Sequence, residues 1–303
     1  MMKPKITIGV CVRNCADHIK DAIKSILDQD FPHELMEVIF VDDGSVDNTL
    51  SIVQEYVSTM DIPAKIFHTS WQGLGPARTI VVRNARGKYI IWVDGDMMMS
   101  GDYMRKLVEF MEQHPEAGIT KGKQTLEPCG NLLATLEAYS RAACRLLDYQ
   151  SEKARSKALG TGGCIYRVEA IEQVGGFDQN LRGYGEDWDI EIRIRDAGWS
   201  LHTVDTEFSD YEKYKMTWKI LWKKYWLRGY YNHHVINKHR GIIKHYRMFP
   251  PAAFLSGILQ AHKVFKLTYQ KKVFLLPFQC VFKMTAWYFG FVRSHLNSYE
   301  PQP

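Results

Sequence analysis

A chain of 303 residues with 46% hydrophobic and 24% charged side chains is long enough for one large α/β domain and an appendage, and this composition excludes a disordered chain. The net charge of +5 is modest, but the basic residues concentrate after about Tyr211, so we expect the C-terminal part to meet an anionic surface. The six cysteines are too irregularly spaced to indicate a zinc site, and we expect them to be reduced, as in a cytosolic protein.

The first half of the chain alternates short β-branched runs with helical patterns. This order predicts a mainly parallel sheet sandwiched by helices, with ligands at the carboxyl ends of the strands. The first apolar run is too short for a signal peptide and lacks a small-residue cleavage site, so it predicts a strand. In chain order, the predicted strands and helices are Ile6–Val12, Ile19–Leu27, Val38–Val41, Leu50–Met60, Lys65–Phe67, a segment ending at Ala85, and Tyr89–Val93.

Beyond these elements the pattern is less regular, and from about Asp210 aromatic and basic residues dominate. We therefore expect one domain over residues 1–210 and a helical, basic and aromatic region over residues 211–303. The later predicted elements of the first domain are a helix near Tyr103–His114, a strand Cys164–Arg167, a helix from about Val168, and a helix from near Glu186 to Ala197.

Two acidic clusters follow predicted strands. Asp94-Gly95-Asp96 comes after Tyr89–Val93, and Asp42-Asp43 comes after Val38–Val41. Two carboxylates two residues apart offer the hard oxygen ligands that suit Mg²⁺ or Mn²⁺, and such an ion also binds diphosphate oxygens. A solvated acidic turn is the alternative for either cluster alone, but solvated turns have no reason to converge on one edge of a sheet.

A set of motifs follows one another along the chain in this order: Thr7–Asn14, Val41–Ser45 with Asp47 and Thr49, Gly73–Arg78, Asp94–Asp96, Gly175–Asp178 and Gly185–Asp189. Their order and spacing resemble the large family 2 of inverting glycosyltransferases, which has the GT-A fold. The resemblance covers roughly residues 5 to 200. It implies a catalytic domain over 1–210, with a nucleotide-sugar donor bound by the half 1–100 and an acceptor bound by the half 101–210.

Within this resemblance, the first motifs supply the nucleoside pocket. It implies that Val12, Asn14 and Asp43 line the pocket and that Asp43 accepts a hydrogen bond from the base. Arg78 is expected near the base or the diphosphate. These motifs leave the nucleotide open: UDP is the more common choice among relatives, and GDP is the alternative.

The Asp-Gly-Asp motif supplies the metal site in the family, which implies that Asp94 contacts ribose or metal and that Asp96 binds Mg²⁺ or Mn²⁺ directly. The ion offsets charge on the diphosphate as the bond to the sugar breaks. Many relatives add a histidine shortly after the strand near Leu201–Val204. Here Asp210 stands near the corresponding place and His202 comes earlier, so the third ligand is left as Asp210 or His202.

An inverting displacement needs a base that takes the proton of the acceptor hydroxyl. Asp187 matches the catalytic base of the family, and its anion is stabilised at the start of a helix. Glu186 and Trp188 are expected to contact the acceptor or the sugar, and Gly162 and Gly163 to let the backbone approach a ligand closely. Alternatively, Glu186 and Asp187 are acids that only stabilise the first helical turn, and Trp188 is a core residue. Gly162 and Gly163 would then form a simple turn.

The C-terminal region indicates a membrane surface. Trp218, Trp222 and Trp226 form one stripe on a helix, which suits the lipid headgroup layer or, equally, packing as core. Phe249–Leu267 and Val273–Val292 are apolar but interrupted by proline and lysine, so we expect two amphipathic, partly inserted helices. One transmembrane span at Val273–Val292 is the weaker alternative. The expected location is the cytoplasmic face of the cell membrane, with peripheral or partly inserted attachment.

Together, these features predict metal-dependent transfer of a sugar to a hydroxyl of a lipid-linked sugar or surface glycan. The alternatives are a soluble or protein acceptor, or synthesis of a polyprenyl-phosphate glycosyl donor. A processive synthase is not expected, because Lys223–Arg228 lacks the Gln-x-x-Arg-Trp motif of such enzymes. In another class, the basic and aromatic segment Tyr211–Arg247 fits a nucleic-acid-binding module. That hypothesis leaves the acidic strand ends unexplained, and no nucleic acid is expected as a partner.

Overall fold

The computed structural model describes residues 3–125, 130–142, 158–210, 216–242 and 249–298. Its strands are β1 Ile6–Val12, β2 Met36–Asp43, β3 Ala64–Thr69, β4 Tyr89–Trp92, β5 Met97–Met99, β6 Ala117–Gln124, β7 Cys164–Arg167 and β8 Ser200–Asp210. Its helices are α1 Ile19–Leu27, α2 Thr49–Thr59, α3 Leu74–Asn84, α4 Tyr103–Gln113, α5 Leu132–Ala142, α6 Val168–Gln173, α7 Glu186–Asp196, α8 Trp218–Lys238, α9 Pro250–Thr268 and α10 Leu276–Leu296. The predicted elements up to Ala197 are confirmed, with small shifts of their ends.

The chain divides into two compact units. The first contains Met1–Lys123, Lys157–Arg182 and Glu186–Tyr211, and the second contains Gln124–Ser156, Gly183–Gly185 and Glu212–Pro303. The second unit thus includes two segments of the predicted first domain, residues 124–156 and 183–185. The catalytic role predicted for 1–210 and the membrane role predicted for 211–303 stay predictions. Of the basic segment Tyr211–Arg247, residues 211–215 and 243–248 lie outside the described residues.

One eight-stranded sheet, in the order β3-β2-β1-β4-β7-β6-β8-β5, forms the centre of the first unit. The strands β1 to β4 pair in parallel, as the βαβ order predicts. However, β7 pairs antiparallel with both β4 and β6, and β5 pairs antiparallel with β8. The sheet is therefore mixed rather than mainly parallel. The prediction erred because β6, with two glycines and two lysines among eight residues, carries a weak strand signal.

Three of the four parallel strands, β1, β2 and β4, are buried along nearly their whole length. Helices α1 and α4 cover one face with apolar residues that recur every three or four positions. Their core residues are Ile19, Ala22, Ile23 and Ile26 from α1, and Tyr103, Met104, Leu107, Val108 and Met111 from α4. This packing fixes the strand ends from which the acidic turns emerge.

In the second unit, α8 and α10 approach each other closely at glycines. A Cβ atom at Gly229 would lie 2.7 Å from the carbonyl carbon of Trp287, and one at Gly290 would lie 2.8 Å from that of Trp226. Only a residue without Cβ fits at such a contact. The predicted aromatic stripe lies along α8, and two of its tryptophan rings contact Phe282 of α10 edge-on, at centroid distances of 4.7 and 5.4 Å. Trp218 is nevertheless 56% exposed, so the stripe is packed within this unit only in part.

The two apolar C-terminal helices are confirmed as α9 and α10. In the described part of the chain, no helix is both long and apolar enough to cross a membrane, so the alternative of a transmembrane span at Val273–Val292 is wrong. The reason includes Lys283, whose ammonium group lies buried within α10 and donates to Glu137 and Ser140 at 2.9 and 2.8 Å. The expected membrane attachment itself stays a prediction.

Candidate functional site

The predicted donor residues begin at the carboxyl ends of neighbouring parallel strands. The register pairs Val12 of β1 with Asp42 of β2, and Asp94 follows β4 on the other side of β1. A Cβ atom at Gly95 would lie 3.1 Å from a methyl group of Val12, so the Asp-Gly-Asp turn packs directly on the end of β1. The structure thus brings Val12 and the Asp94–Asp96 turn together, as a donor pocket at this edge requires.

The Asp43 carboxylate is hydrogen-bonded to the protein backbone. It accepts hydrogen bonds from the N–H of Gln72 at 2.7 Å and of Gly73 at 2.8 Å, and its side chain is buried. These bonds fix the loop that leads into α3. Because each carboxylate oxygen accepts two hydrogen bonds, a further donor such as a base N–H is compatible with this geometry. The predicted contact between Asp43 and a base stays a prediction.

Asn14 joins the loops that follow β1 and β2. Its N–H donates to the Ser45 hydroxyl at 3.0 Å, and its side-chain oxygen accepts the N–H of Val46 at 2.9 Å. The residue adopts a φ of 52°, which asparagine tolerates better than most residues. Asn14 therefore shapes the rim of the predicted pocket through the loop after β2.

A polar pair that the sequence did not indicate lies beside this rim. The Asp42 carboxylate, 1% exposed, contacts His68 Nδ1 at 2.6 Å and accepts a hydrogen bond from the Ser45 hydroxyl. The strand register sets Asp42 opposite His68 of β3. Only the pairing of β2 with β3 identifies this contact, because the two residues are 26 positions apart in the chain.

Arg78 is buried. Its guanidinium forms a buried ion pair with Glu186 and lies 5.7 and 5.8 Å from the ring centroids of Trp92 and Phe177. Burial raises the pKa of Glu186 to about 8, the nearby Asp187 carboxylate adds to this rise, and the Arg78 charge opposes it. In this structure Arg78 and Glu186 contact each other, and their predicted roles, Arg78 near the base or the diphosphate and Glu186 at the acceptor or sugar, stay predictions.

One loop, residues 158–163, contacts the carboxylates on both sides of the site. A Cβ atom at Gly162 would lie 2.8 Å from the carboxylate carbon of Asp94, and one at Gly160 would lie 3.6 Å from Asp187 Oδ2. Asp187 lies in the first turn of α7, and its other oxygen accepts the N–H of Trp188 at 2.7 Å. The predicted metal or ribose ligand and the predicted base therefore flank the same short segment.

Gly162 and Gly163 of this loop lie close to protein side chains. Asp94 occupies the space beside Gly162, and the Tyr103 hydroxyl lies 2.7 Å from the position of a Cβ at Gly163. Trp188 is 6% exposed, which leaves little ring surface for a sugar to stack on. The predicted ligand contacts of Trp188, Gly162 and Gly163 stay predictions.

The two candidates for the third metal ligand lie at different places on β8. Asp210 is paired with Met97, directly after Asp96, whereas His202 bonds Ser200 and stacks near the ring of His114. Among the residues that the structure describes, no three His, Cys, Asp or Glu side chains are grouped to hold a metal ion alone. Mg²⁺ commonly uses one or two carboxylates together with phosphate oxygens and water, and the carboxylates after β4 fit that pattern.

The sequence matches the family described as Glycosyl transferase family 2 over residues 7–175, which is more than half of the chain. The chain belongs to glycosyl transferase family 2. A second family, described as the N-terminal domain of galactosyltransferase, matches residues 141–219. Family membership accounts for the acidic strand ends that the nucleic-acid-binding alternative left unexplained.

Two curated relatives show how far the family resemblance extends. TarS of Staphylococcus aureus strain Mu50, a poly(ribitol-phosphate) beta-N-acetylglucosaminyltransferase, is 29% identical over 110 residues, which is 36% of this chain and 19% of TarS. The poly-beta-1,6-N-acetyl-D-glucosamine synthase of Staphylococcus epidermidis is 24% identical over 230 residues, which is 71% of this chain and 52% of that protein. The chain therefore spans about half or less of the length of these relatives.

Solved structures extend the likeness to nearly the whole chain. The mannosyltransferase PcManGT of Pyrobaculum calidifontis, in complex with GDP-Man and Mn²⁺, superposes with a TM-score of 0.67 at 16% identity, covering 98% of this chain and 88% of that one. Residues 1–349 of TarS, in complex with UDP, give a TM-score of 0.54 at 16% identity, covering 97% and 92%. At such low identity these likenesses show the fold alone, and they confirm the GT-A type of α/β fold.

Proposed function

We propose that this protein is a metal-dependent, inverting glycosyltransferase that moves a sugar from a nucleotide-sugar donor to an acceptor hydroxyl. The observation that carries the proposal is the loop 158–163, which contacts Asp94 on one side and Asp187 on the other. A donor held at the carboxyl edge of the sheet would place its anomeric carbon between these two carboxylates. Membership of the family and the donors bound by structural neighbours support this reaction class.

In this mechanism the chain contributes binding and one proton acceptor. Val12, Asn14 and the loop held by Asp43 would surround the nucleoside, and Asp94 and Asp96 would hold Mg²⁺ or Mn²⁺ against the diphosphate. The bound ion supplies charge neutralisation as the leaving group departs. Asp187 would take the proton of the acceptor hydroxyl on the opposite face of the sugar, a role worth about 10²–10⁴ in rate.

The donor is proposed to be a UDP-sugar, with a GDP-sugar as the alternative. TarS is named for N-acetylglucosamine transfer and binds UDP, whereas PcManGT binds GDP-Man. For the metal, the register that sets Asp210 beside the Asp96 turn favours Asp210 over His202 as a third oxygen ligand. Oxygen ligands suit both Mg²⁺ and Mn²⁺.

Release of nucleoside diphosphate tests the reaction without knowledge of the acceptor, because water can replace the acceptor at a low rate. UDP-GlcNAc, UDP-glucose and GDP-mannose are supplied with Mn²⁺ to the wild-type protein and to Asp187→Asn. We expect release from one donor, and a loss of about 100-fold or more in the variant. The control is Asp196→Asn at the exposed far end of α7, which should keep wild-type activity. Release that is equal in all three proteins would refute the role of Asp187.

We further propose that the acceptor is carried by, or lies beside, an anionic membrane on its cytoplasmic face. From residue 213 to residue 299 the chain has sixteen Lys or Arg and no Asp or Glu. On α9, Leu255 and Leu259 are 64% and 67% exposed, and Phe278 at the start of α10 is 65% exposed. Exposed lysines, Lys263 and Lys266, follow on α9. An exposed apolar face beside cations fits anionic headgroups, each nearby cation contributing about 1 kcal/mol.

Sedimentation with vesicles tests this attachment. The wild-type protein should bind phosphatidylglycerol vesicles and lose most of that binding on phosphatidylcholine vesicles. Leu255→Asp/Leu259→Asp should weaken binding at least tenfold, because it places charge in the apolar face. Val46→Asp is the control, since Val46 is an exposed apolar residue of the first unit. If the double variant binds like the wild type, or the wild type binds neither vesicle, a soluble or protein acceptor becomes the better proposal.

A further inference from the structure

The loop 158–163 is held at one point by side chains of opposite charge. Glu191 accepts the N–H of Leu159 at 2.7 Å and the N–H of Gly160 at 2.9 Å, one on each carboxylate oxygen. The Lys121 ammonium donates to the carbonyl oxygens of the same two residues, at 2.7 and 3.0 Å. Two consecutive residues thus have all their backbone polar groups bonded to two charged side chains. We call this arrangement the loop clamp.

Both side chains of the loop clamp are anchored in rigid elements. Lys121 lies in β6 of the central sheet, and Glu191 lies in α7, where it is 3% exposed. Burial and the Asp187 carboxylate raise the pKa of Glu191, whereas the two N–H donors and Lys121 oppose this rise and favour the carboxylate. A buried carboxylate of this kind is costly without its partners, so the bonds of the clamp define one position of the loop.

The loop lies beside both Asp94 and Asp187. Glu191 lies one helical turn after Asp187, so both project from the same face of α7 toward the loop. A Cβ atom at Gly160 would lie 3.6 Å from Asp187 Oδ2 and also 3.6 Å from Lys121 Nζ. Two residues further on, the backbone at Gly162 packs against Asp94.

We propose that Lys121 and Glu191 are positioning residues, which set the distance between the donor side at Asp94 and the base at Asp187. Neither residue needs to touch the substrate for this role, since both act through the loop. The inference rests on the proposed glycosyl transfer. It predicts that loosening the clamp slows the chemical step more than it weakens nucleotide binding, because Val12 and Asp43 of the nucleoside pocket lie on β1 and β2 and Asn14 follows β1.

The test compares Lys121→Met, Lys121→Arg, Glu191→Gln and the control Lys123→Met. Lys123 lies two residues further along β6 and pairs with the exposed Asp205 at 2.8 Å, so it is a matched lysine outside the clamp. For Lys121→Met and Glu191→Gln we expect kcat to fall roughly 10- to 100-fold, as for a small misplacement of reacting groups. The KM for the donor and the Kd for UDP with Mn²⁺ should rise by a clearly smaller factor than kcat falls, because the nucleoside pocket lies outside this loop. Lys121→Arg should recover part of kcat, and Lys123→Met should match the wild type.

A merely structural role gives a different pattern. If Lys121→Met lowers UDP affinity and thermal stability in the same proportion as kcat, or leaves kcat unchanged, the positioning role is refuted. Hydrogen exchange supplies a readout apart from activity: the peptide that contains Leu159 and Gly160 should exchange faster in Lys121→Met and not in Lys123→Met. A wild-type protein that neither binds a nucleotide nor releases one from any donor would instead overturn the proposed function, and the positioning role with it.

Discussion

Replacing Gly162 with alanine places a methyl group in the space of the Asp94 carboxylate. The new Cβ would lie 2.8 Å from the carboxylate carbon, whereas non-bonded carbon atoms prefer about 3.5–4.0 Å. Gly162, unlike Gly163, does not have a positive φ, so alanine adds bulk without backbone strain. The carboxylate must therefore move by about 1 Å or swing away. A displacement of about 1 Å at a reacting site costs on the order of 100-fold in rate.

The assay is kcat/KM for nucleoside diphosphate release, together with the Kd of UDP in the presence of Mn²⁺ and the midpoint of thermal unfolding. We expect Gly162→Ala to lower kcat/KM about 100-fold, with a stability loss within the 1–3 kcal/mol typical of overpacking. Gly101→Ala is the control, because its Cβ would meet nothing closer than 3.4 Å. Wild-type kcat/KM and UDP affinity in Gly162→Ala would show that Asp94 does not belong to the site.

Three further predictions concern the buried pair, acid and the thiols. Arg78→Met should cost about 3–5 kcal/mol in urea unfolding, because it leaves Glu186 buried without its partner; lost nucleotide affinity at unchanged stability would contradict this. Hydrogen bonds and cations lower the pKa of Glu112 to about 2. The carboxylate therefore stabilises the folded protein fully above about pH 4.5, and this stabilisation is lost as the pH falls toward 2. Glu112→Gln should remove this part of the pH dependence of unfolding. Burial raises the pKa of Cys11 and Cys15 to about 12. Iodoacetamide at pH 8 should therefore alkylate them roughly 1,000-fold more slowly in the folded protein than in the urea-unfolded protein. Equal rates in the two states would contradict this.

The sequence predicts the parallel half of the fold well because each of its elements carries a strong local signal. The apolar residues of α1 and α4 repeat with helical spacing, and β1 and β2 are continuous apolar runs. The antiparallel half has no such signal. Strand β6 reads Ala-Gly-Ile-Thr-Lys-Gly-Lys-Gln, in which neither alternation nor branched residues stand out. The direction in which β7 joins the sheet depends on long-range pairing that no local window contains.

The candidate site shows the same limit. The sequence predicts the acidic turns because they follow strands with a clear apolar pattern, and the order of the parallel strands brings them to one edge of the sheet. The sequence does not predict the partners of the site residues. Arg78 and Glu186, which form an ion pair, are 108 positions apart, and Asp42 contacts His68 only because β2 pairs with β3. In the sequence, Glu191 is one of several acidic residues in a helix. Only the structure shows that it accepts hydrogen bonds from the loop 158–163. Family resemblance suggests a place for Arg78 near the donor, and only the structure shows its ion pair with Glu186.

Calorimetric titration of UDP and GDP, with and without Mn²⁺, tests the central claim most directly. The claim is that a nucleotide and a divalent ion bind together where Asp94 and Asp96 follow β4. We expect one of the two nucleotides to bind only with Mn²⁺, and Asp96→Ala to abolish that binding. Asp205→Ala, which removes an exposed acid elsewhere in the first unit, should bind like the wild type. If neither nucleotide binds under any condition, or if Asp96→Ala binds as well as the wild type, the donor site lies elsewhere.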